Sequence, residues 1–183
     1  MAVWNVIDHQ EIGSGGAANW TKSSIPASYD HLLLMASVRT EESAYRAYSD
    51  FRVGNGGVDT GNNYSSTRMR TASSAVDAGR ETGVAAFQYN SVSPGTDVLA
   101  DTFSVCKIWI PNYANTSNYK QLLFQDTVPN NATGVLQWEI ILAAGLWSST
   151  SAITDVAFYG HSLGSTDLAE YSSFTLYGIN GAG

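Results

Sequence analysis

One cysteine, Cys106, and four prolines are all that 183 residues contain of these two types. A lone thiol excludes an intrachain disulfide framework and a cysteine-built zinc cage. Charge is also sparse: 14% of the side chains are charged, against about a quarter in an ordinary domain. Basic residues are outnumbered, 9 to 16, for a net charge of −7. A face that releases counterions from nucleic acid needs concentrated positive charge, so no direct nucleic-acid partner is expected. The three histidines (His9, His31, His161) are scattered, without the spacing of transition-metal ligands. No stretch approaches the eighteen apolar residues of a membrane helix, so no membrane partner is expected. The amino terminus, Met1-Ala-Val-Trp-Asn-Val-Ile-Asp8, has no basic n-region, and no signal peptide is expected. Nothing in the sequence asks for a cofactor.

What the chain does contain is a folded protein's share of apolar residues, 44%, and of aromatics, 11%. Ser, Thr, Asn and Gly supply 66 of the 183 residues, which implies a neutral, polar surface. The length suits one domain with a sizeable core. We read residues 1–183 as a single domain, with residues 1–19 as a strand or arm available for assembly and 181–183 as a frayed tail.

Helical periodicity is scarce, whereas short β-branched and aromatic runs bounded by Gly, Asn, Ser and Pro recur. Strands are expected at Val3–Ile12, His31–Thr40, Tyr48–Val53, Gly83–Tyr89, Phe103–Ile110, Tyr119–Val128, Val135–Leu142, Ile153–Tyr159 and Phe174–Ile179. Leu32-Leu-Leu-Met35 is too continuous for a half-exposed strand and suits a central one. About nine strands with turn signals between them predict an all-β fold, an antiparallel β-sandwich of jelly-roll type. Thr40–Tyr48 could form two helical turns, with Thr40 as cap and acids in the first turn. Ala72–Glu81 lacks a coherent apolar face and reads as a loop.

Charge is unevenly spread along the chain. All six arginines (Arg39, Arg46, Arg52, Arg68, Arg70 and Arg80) lie between residues 39 and 80, a segment near +1, while the remainder is near −8. If folding preserves that segregation, one copy's positive edge would attract another copy's acidic surface.

Gly160-His-Ser-Leu-Gly164 spells the G-x-S-x-G nucleophile elbow. That elbow needs a helix directly after it and a histidine later in the chain. Ser165–Ser173 does not read as a helix and no histidine follows His161, so the segment reads as a loop and no catalytic residue is expected. In Asn55-Gly-Gly-Val-Asp-Thr-Gly-Asn-Asn63 only Asp59 is charged. Calcium sites gather several carboxylates, and an Asx-stabilised turn is the better reading. Cys106, within an apolar strand, reads as a small core residue. Trp109 is out of phase with Ile108 and Ile110, which makes both faces of that strand apolar and points one of them at a neighbouring subunit. Trp20, Tyr64, Tyr113 and Trp147 stand in turn-rich contexts; core or subunit interface is their default, and exposed stacking platforms for glycan are the alternative. Four N-x-S/T sequons (Asn19, Asn63, Asn115, Asn131) are expected by chance in so Ser-, Thr- and Asn-rich a chain.

Four segments in fixed order carry a resemblance. They are Ile25-Pro-Ala-Ser-Tyr-Asp-His-Leu-Leu-Leu34 with Arg39; Phe51-Arg-Val-Gly-Asn55 leading to Asn62-Asn-Tyr-Ser65; Ile108-Trp-Ile-Pro-Asn-Tyr113 with Lys120; and Gly145-Leu-Trp147 with Ser149–Ile153 and then Ser173-Phe-Thr-Leu-Tyr-Gly-Ile179. Together they resemble a domain of tailed-bacteriophage virion proteins, structural or tail-associated. Gly57-Val58 departs from that family's Asn-Gly-Asp run, which weakens any metal reading. The resemblance implies a β-sandwich located in the virion and made in the bacterial cytoplasm.

The expected function is therefore a non-enzymatic virion structural protein. A tail fibre needs an anchor and shaft ahead of its tip, and here the domain pattern begins within the first dozen or so residues. We expect a capsid decoration or cement protein, with itself (a homo-oligomer, a trimer) and the major capsid protein of the same phage as partners. Arg39, Arg68, Arg70, Arg80 and Trp109 are the expected interface residues. The alternative is a tail-tip receptor-binding knob, or another tail component, contacting glycan through Trp20, Tyr64, Tyr113 and Trp147.

Overall fold

The alternating runs become strands, and three further strands join them among the described residues where apolar alternation is absent. A computed structural model describes residues 3–72, 75–128 and 139–181. Among these the strands are β1 (Val3–Glu11), β2 (Asn19–Lys22), β3 (His31–Val38), β4 (Ala47–Gly54), β5 (Tyr64–Ala72) and β6 (Ala75–Val84). They continue with β7 (Phe87–Ser93), β8 (Ser104–Pro111), β9 (Lys120–Val128), β10 (Glu139–Trp147), β11 (Asp155–Gly160) and β12 (Ser173–Asn180). Every pairing is antiparallel. An eight-stranded sheet has the order β1-β12-β3-β8-β9-β10-β5-β6, and a four-stranded sheet the order β2-β11-β4-β7.

Successive strands from β1 to β4 alternate between the two sheets, as do β7, β8, β11 and β12. The orders β1-β12-β3-β8 and β2-β11-β4-β7 are those of a jelly roll, two Greek keys wrapped into a sandwich. The hairpin β5–β6 and the pair β9–β10 are inserted between jelly-roll strands and widen only the large sheet, so that β5 and β6 form one of its edges. The count is thus twelve strands among the described residues, against about nine expected. The expected strand Gly83–Tyr89 straddles the turn between β6 and β7, and the first part of the expected strand Val135–Leu142 lies outside the described residues. Asn131 lies outside them as well, as does the end of the expected frayed tail.

Two local expectations are corrected. Thr40–Tyr48 is not helical: Thr40 N–H donates to Pro94 C=O (3.0 Å) and Glu41 N–H to Asp167 C=O (2.9 Å), so tertiary bonds replace helical ones, and Ala47 and Tyr48 already belong to β4. Ala72–Glu81 is not a loop: most of it is β6, paired with β5.

The core fills the space between the sheets with interlocked rings. Phe174 of the large sheet stacks on Trp20 (centroids 5.2 Å, planes 5° apart) and meets Phe158 at 5.3 Å. Phe124 contacts Phe87 (5.2 Å) and Phe51 (6.1 Å) from the opposite sheet. Leu32, Leu34, Ile108, Ile110, Leu122 and Leu176 complete the inner face of the large sheet. Cys106 is buried among them, as expected.

The four segments that carry the resemblance meet in space. Tyr113 donates its hydroxyl proton to Pro26 C=O and accepts from Tyr29 N–H (3.4 Å). Tyr29 in turn lies against Gly178, where a Cβ would come within 2.4 Å of its ring. Trp147 Nε1 donates to Asp59 (2.7 Å), in the loop that joins the two halves of the second segment. The pattern therefore marks mutually dependent parts of one frame.

Candidate functional site

Residues directly opposite one another in an antiparallel pair share a face, so the register assigns every side chain of the large sheet inward or outward. One outward row runs His9, Thr175, Met35, Lys107, Gln125, Leu142, Met69, Ala78. A second runs Val6, Tyr177, Leu33, Trp109, Leu123, Ala144, Thr67, Arg80, and a third runs Glu11, Ser173, Ser37, Val105, Thr127, Ile140, Thr71, Val76. Nothing among the described residues is layered over this face: the small sheet covers only the inner one.

The outer face is apolar to a degree unusual for a polar-surfaced chain. Val76 (73%), Val105 (60%), Ile140 (56%), Met69 (54%), Met35 (44%), Leu142 (42%) and Leu123 (40%) all project into solvent. Large exposed apolar patches of more than a few hundred Å² mark interaction surfaces. Near the β1 edge the face is partly closed by its own rings. Trp4 packs edge-on against Tyr177 (5.8 Å) and Trp109 against His31 (5.1 Å). Leu33, between Tyr177 and Trp109 in the register, is 1% exposed although it lies outside the main core cluster. Trp109 thus sits half-buried on the outward side of β8, the side the sequence pointed at a neighbouring subunit.

Charge on this face is as informative as apolarity. Across the outward rows above, the only charged residues are Lys107, Arg80 and, at the β1 corner, Glu11. A protein with 16 acidic residues keeps its carboxylates almost entirely off its broadest face.

The arginines tell a different story from the one their clustering suggested. Arg39 donates to the carbonyls of Leu99 (2.9 Å) and Thr102 (3.0 Å), stapling the loop before β8. Arg46 and Arg70 both reach Glu139, whose side chain is fully shielded; Arg70 also pairs with Asp77 (2.9 Å). Arg68 lies 3.5 Å from Glu81 and over the ring of Tyr89, and Arg52 donates to Ala85 C=O (2.9 Å). Linear segregation of charge is therefore consumed inside the fold. The overhanging β5–β6 hairpin turns Arg68 and Arg70 inward, where acids and Tyr48 and Tyr89 take the place of an apolar core. Of the expected interface arginines only Arg80 is exposed, on the outer face.

The four aromatics expected as glycan platforms under the alternative are buried, which corrects that reading. Trp20, Tyr64 and Tyr113 are 0% exposed and Trp147 3%. Each has an internal partner for its polar atom: Trp20 Nε1 donates to Asp8 (3.2 Å), Trp147 Nε1 to Asp59, Tyr113 to Pro26 C=O, and the Tyr64 hydroxyl to Val53 C=O (2.7 Å). A satisfied indole or phenol at the end of a sandwich anchors loops. The aromatic that is exposed beside a depression is Tyr119. That depression, of about 640 Å³, is lined by Asn112, Asn115, Asn118, Gln121 and Thr150 among others. Beneath its rim Lys120 Nζ donates to the carbonyls of Asn118 (2.8 Å) and Thr150 (3.0 Å), and burial lowers its pKa.

The elbow-like motif is a tight turn. His161–Gly164 forms a single turn in which Ser162 (φ 48°) and Leu163 (φ 58°) are both left-handed, and Leu163 N–H donates to Asp50 (2.7 Å). His161 Nδ1 lies 3.1 Å from Tyr48 C=O. His9 and His31 are on β1 and β3 of the other sheet, so no histidine besides its own neighbour is placed to serve Ser162. In the Asn55–Asn63 loop the Asp59 carboxylate accepts from Gly61 N–H (2.7 Å), Asn63 (2.8 Å) and Trp147. Burial alone would raise its pKa, but these donors lower it. Its oxygens are committed to the turn.

Sequence reasoning missed the buried carboxylates. Asp126 sits at an inward position of β9, accepts from Ser91 Oγ and Val92 N–H (3.3 Å), and is pushed up to about 8 by burial. Its inward phase with Leu122, Phe124 and Val128 was visible in the alternation. No protein-family model and no curated protein matches this chain.

Proposed function

We propose that the chain is a non-enzymatic structural protein of a tailed-phage particle, a decoration protein that docks on the outer lattice of the head. The observation that carries this reading is the outer face of the large sheet. It is broad, apolar and almost free of carboxylates, the character of a subunit interface and not of a reaction centre. The ordered four-segment resemblance supplies the virion as the place where such an interface is used. Binding only to the assembled shell stabilises it by mass action, since a ligand of one state shifts the equilibrium toward that state. Arginine-led docking is set aside because Arg39, Arg68 and Arg70 are engaged internally; Trp109 and Arg80 remain as interface residues.

The test is co-sedimentation of purified protein with expanded capsids that lack it. Saturable, stoichiometric binding supports decoration, and absence of binding at micromolar protein counts against it.

A second reading, a glycan-binding tail-tip module, is favoured by the depression beside Tyr119. Its neutral amide and hydroxyl lining and one exposed ring suit a polyol, and Lys120 fixes its rim from both loops. Adhesion to host cells that Tyr119→Ala abolishes, without capsid binding, would select it.

A further inference from the structure

We propose that a second copy of this chain covers the outer face of the large sheet, the two copies packing face to face about a two-fold axis. This deepens the assembly reading by naming the partner on this face, which a paired molecule no longer offers to the capsid lattice, and it rests on that reading only for its place in a particle.

Size comes first. Eight strands about 4.8 Å apart span roughly 34 Å, and seven or eight residues of strand at about 3.3 Å each give roughly 25 Å. The product, on the order of 850 Å², is what one partner contributes to a stable interface of standard size, about 800 Å². A two-fold contact between such faces is a sheet-on-sheet packing, in which side chains interdigitate across about 10 Å.

Charge comes second, and it selects the occupant. Two copies of a chain at −7 repel wherever their carboxylates approach. This face is the one on which they do not approach, because Glu11 stands at its corner and its interior charge is Lys107. The long stem of Lys107 can lie along Met35 and Gln125, its neighbours in the register, where the neutral Gln125 amide is the polar group beside its ammonium. Apolar surface is matched by apolar surface, and a two-fold contact supplies it from the same residues: Leu123, Ile140 and Leu142 of one copy meet their counterparts. A two-fold pair replaces the trimer expected of a decoration protein.

The experiment is analytical ultracentrifugation of the full chain from about 0.1 to 50 μM, for wild type, Leu123→Lys, Ile140→Lys and a control, Thr60→Lys, in the exposed loop after β4. Both interface positions are solvent-exposed in the single chain, and thermal melts verify that the variants fold. The expected result is a dimer whose Kd rises on the order of 100-fold or more in either interface variant, because the dimer then buries two unpaired ammonium groups, one from each copy. Thr60→Lys leaves Kd unchanged. Raising salt from about 0.05 to 0.5 M tightens the dimer, since it screens the repulsion between two acidic copies; an arginine-to-carboxylate contact would loosen. A wild-type monomer at 50 μM overturns the proposal, and so does a dimer indifferent to both lysines. Capsid binding separates the two claims. A monomer that binds capsids through Leu123 overturns self-pairing and leaves decoration standing; a lysine-sensitive dimer that ignores capsids does the reverse.

Discussion

Arg70 Nη1 lies 3.3 Å from a carboxylate oxygen of Glu139, on neighbouring strands of the large sheet, and the Glu139 side chain has no exposure to solvent. Arg46 reaches the other oxygen, and the Tyr48 hydroxyl lies within hydrogen-bonding distance of both (3.3 and 3.4 Å). The guanidinium groups of Arg46 and Arg70 both stand over the Tyr48 ring. One shielded carboxylate thus holds two arginines, Arg70 on β5 and Arg46 just ahead of β4. Glu139→Ala removes the anion and leaves two partly shielded cations facing each other. Breaking a buried pair costs about 3–5 kcal/mol; with both guanidiniums reaching solvent, about 2 kcal/mol is the better expectation. Differential scanning calorimetry should show Tm falling by about 4–8 °C. Arg80→Ala, which touches the exposed outer face alone, should leave Tm within about 1 °C.

The same network explains which part of the fold could be read from the sequence. The strands β3, β8, β9 and β12 bury aliphatic and aromatic side chains on the inner face, so their composition and alternation announced them. Past the core ring of Tyr64, the inner positions of β5 and β6 are Ser66, Arg68, Arg70, Asp77, Gly79 and Glu81. Their hydrophobic signal is erased because ion pairs and tyrosine rings fill the space that apolar side chains fill elsewhere. Strand β2 is four residues long with one buried ring, Trp20, and offers no period to detect. The outer face was visible only through Trp109. Recognising Met35, Val105, Leu123 and Ile140 as one patch requires the strand order, which places β8 and β9 between β3 and β10.

Asp126 makes stability depend on pH in the direction opposite to a salt-bridged acid. Burial raises it from 3.8 to about 8, and burial raises Asp50 to about 6. Between about pH 4 and pH 8 the folded chain keeps a proton on Asp126 that the unfolded chain has released. Stability therefore falls as pH rises through that window, Asp50 contributing up to about pH 6. Asp59 and Asp155, held below their ordinary value by hydrogen bonds in spite of burial, act oppositely and lose their contribution on acidification below about pH 4. Urea unfolding from pH 4 to 9 should show Asp126→Asn matching wild type within about 1 kcal/mol near pH 4. Its advantage should then grow with pH, each unit of wild-type displacement being worth about 1.4 kcal/mol. A wild-type stability that climbs from pH 5 to 8 would contradict this account.

Gly178 is the place where two of the resembling segments touch. A Cβ there would come within 2.4 Å of Cγ and Cδ2 of Tyr29, atoms at the base of a ring with little freedom to move. Gly178→Ala should displace Tyr29 and, through it, the hydrogen bond from Tyr29 N–H to Tyr113. Overpacking of this kind costs about 1–3 kcal/mol. Tyr113→Phe removes the bond without the clash and should cost about 1 kcal/mol. If the double variant costs less than the sum of the single ones, the two changes act through the same loop; full additivity would mean that Gly178 and Tyr113 support separate parts of the frame.

Ser162 decides between a strained turn and a nucleophile. Its φ of 48° and ψ of 54°, followed by Leu163 at 58° and 37°, place two consecutive side-chain-bearing residues in the left-handed region. That region costs an ordinary L-residue about 1 kcal/mol or more and costs glycine almost nothing. Ser162 is exposed and has little packing to lose, so Ser162→Gly should stabilise the chain by about 0.5–1 kcal/mol, less whatever entropy glycine adds to the unfolded state. Leu163→Gly should gain less, because the leucine is half-buried. Ser162→Ala retains the strained backbone and should lie within about 0.5 kcal/mol of wild type. The nucleophile reading expects something else: wild-type turnover of p-nitrophenyl acetate above the buffer rate, abolished in both Ser162→Ala and Ser162→Gly. With His161 Nδ1 facing the Tyr48 carbonyl and the other two histidines on the far sheet, all three proteins should hydrolyse the ester at the same background rate, while chemical denaturation orders them glycine above serine and alanine.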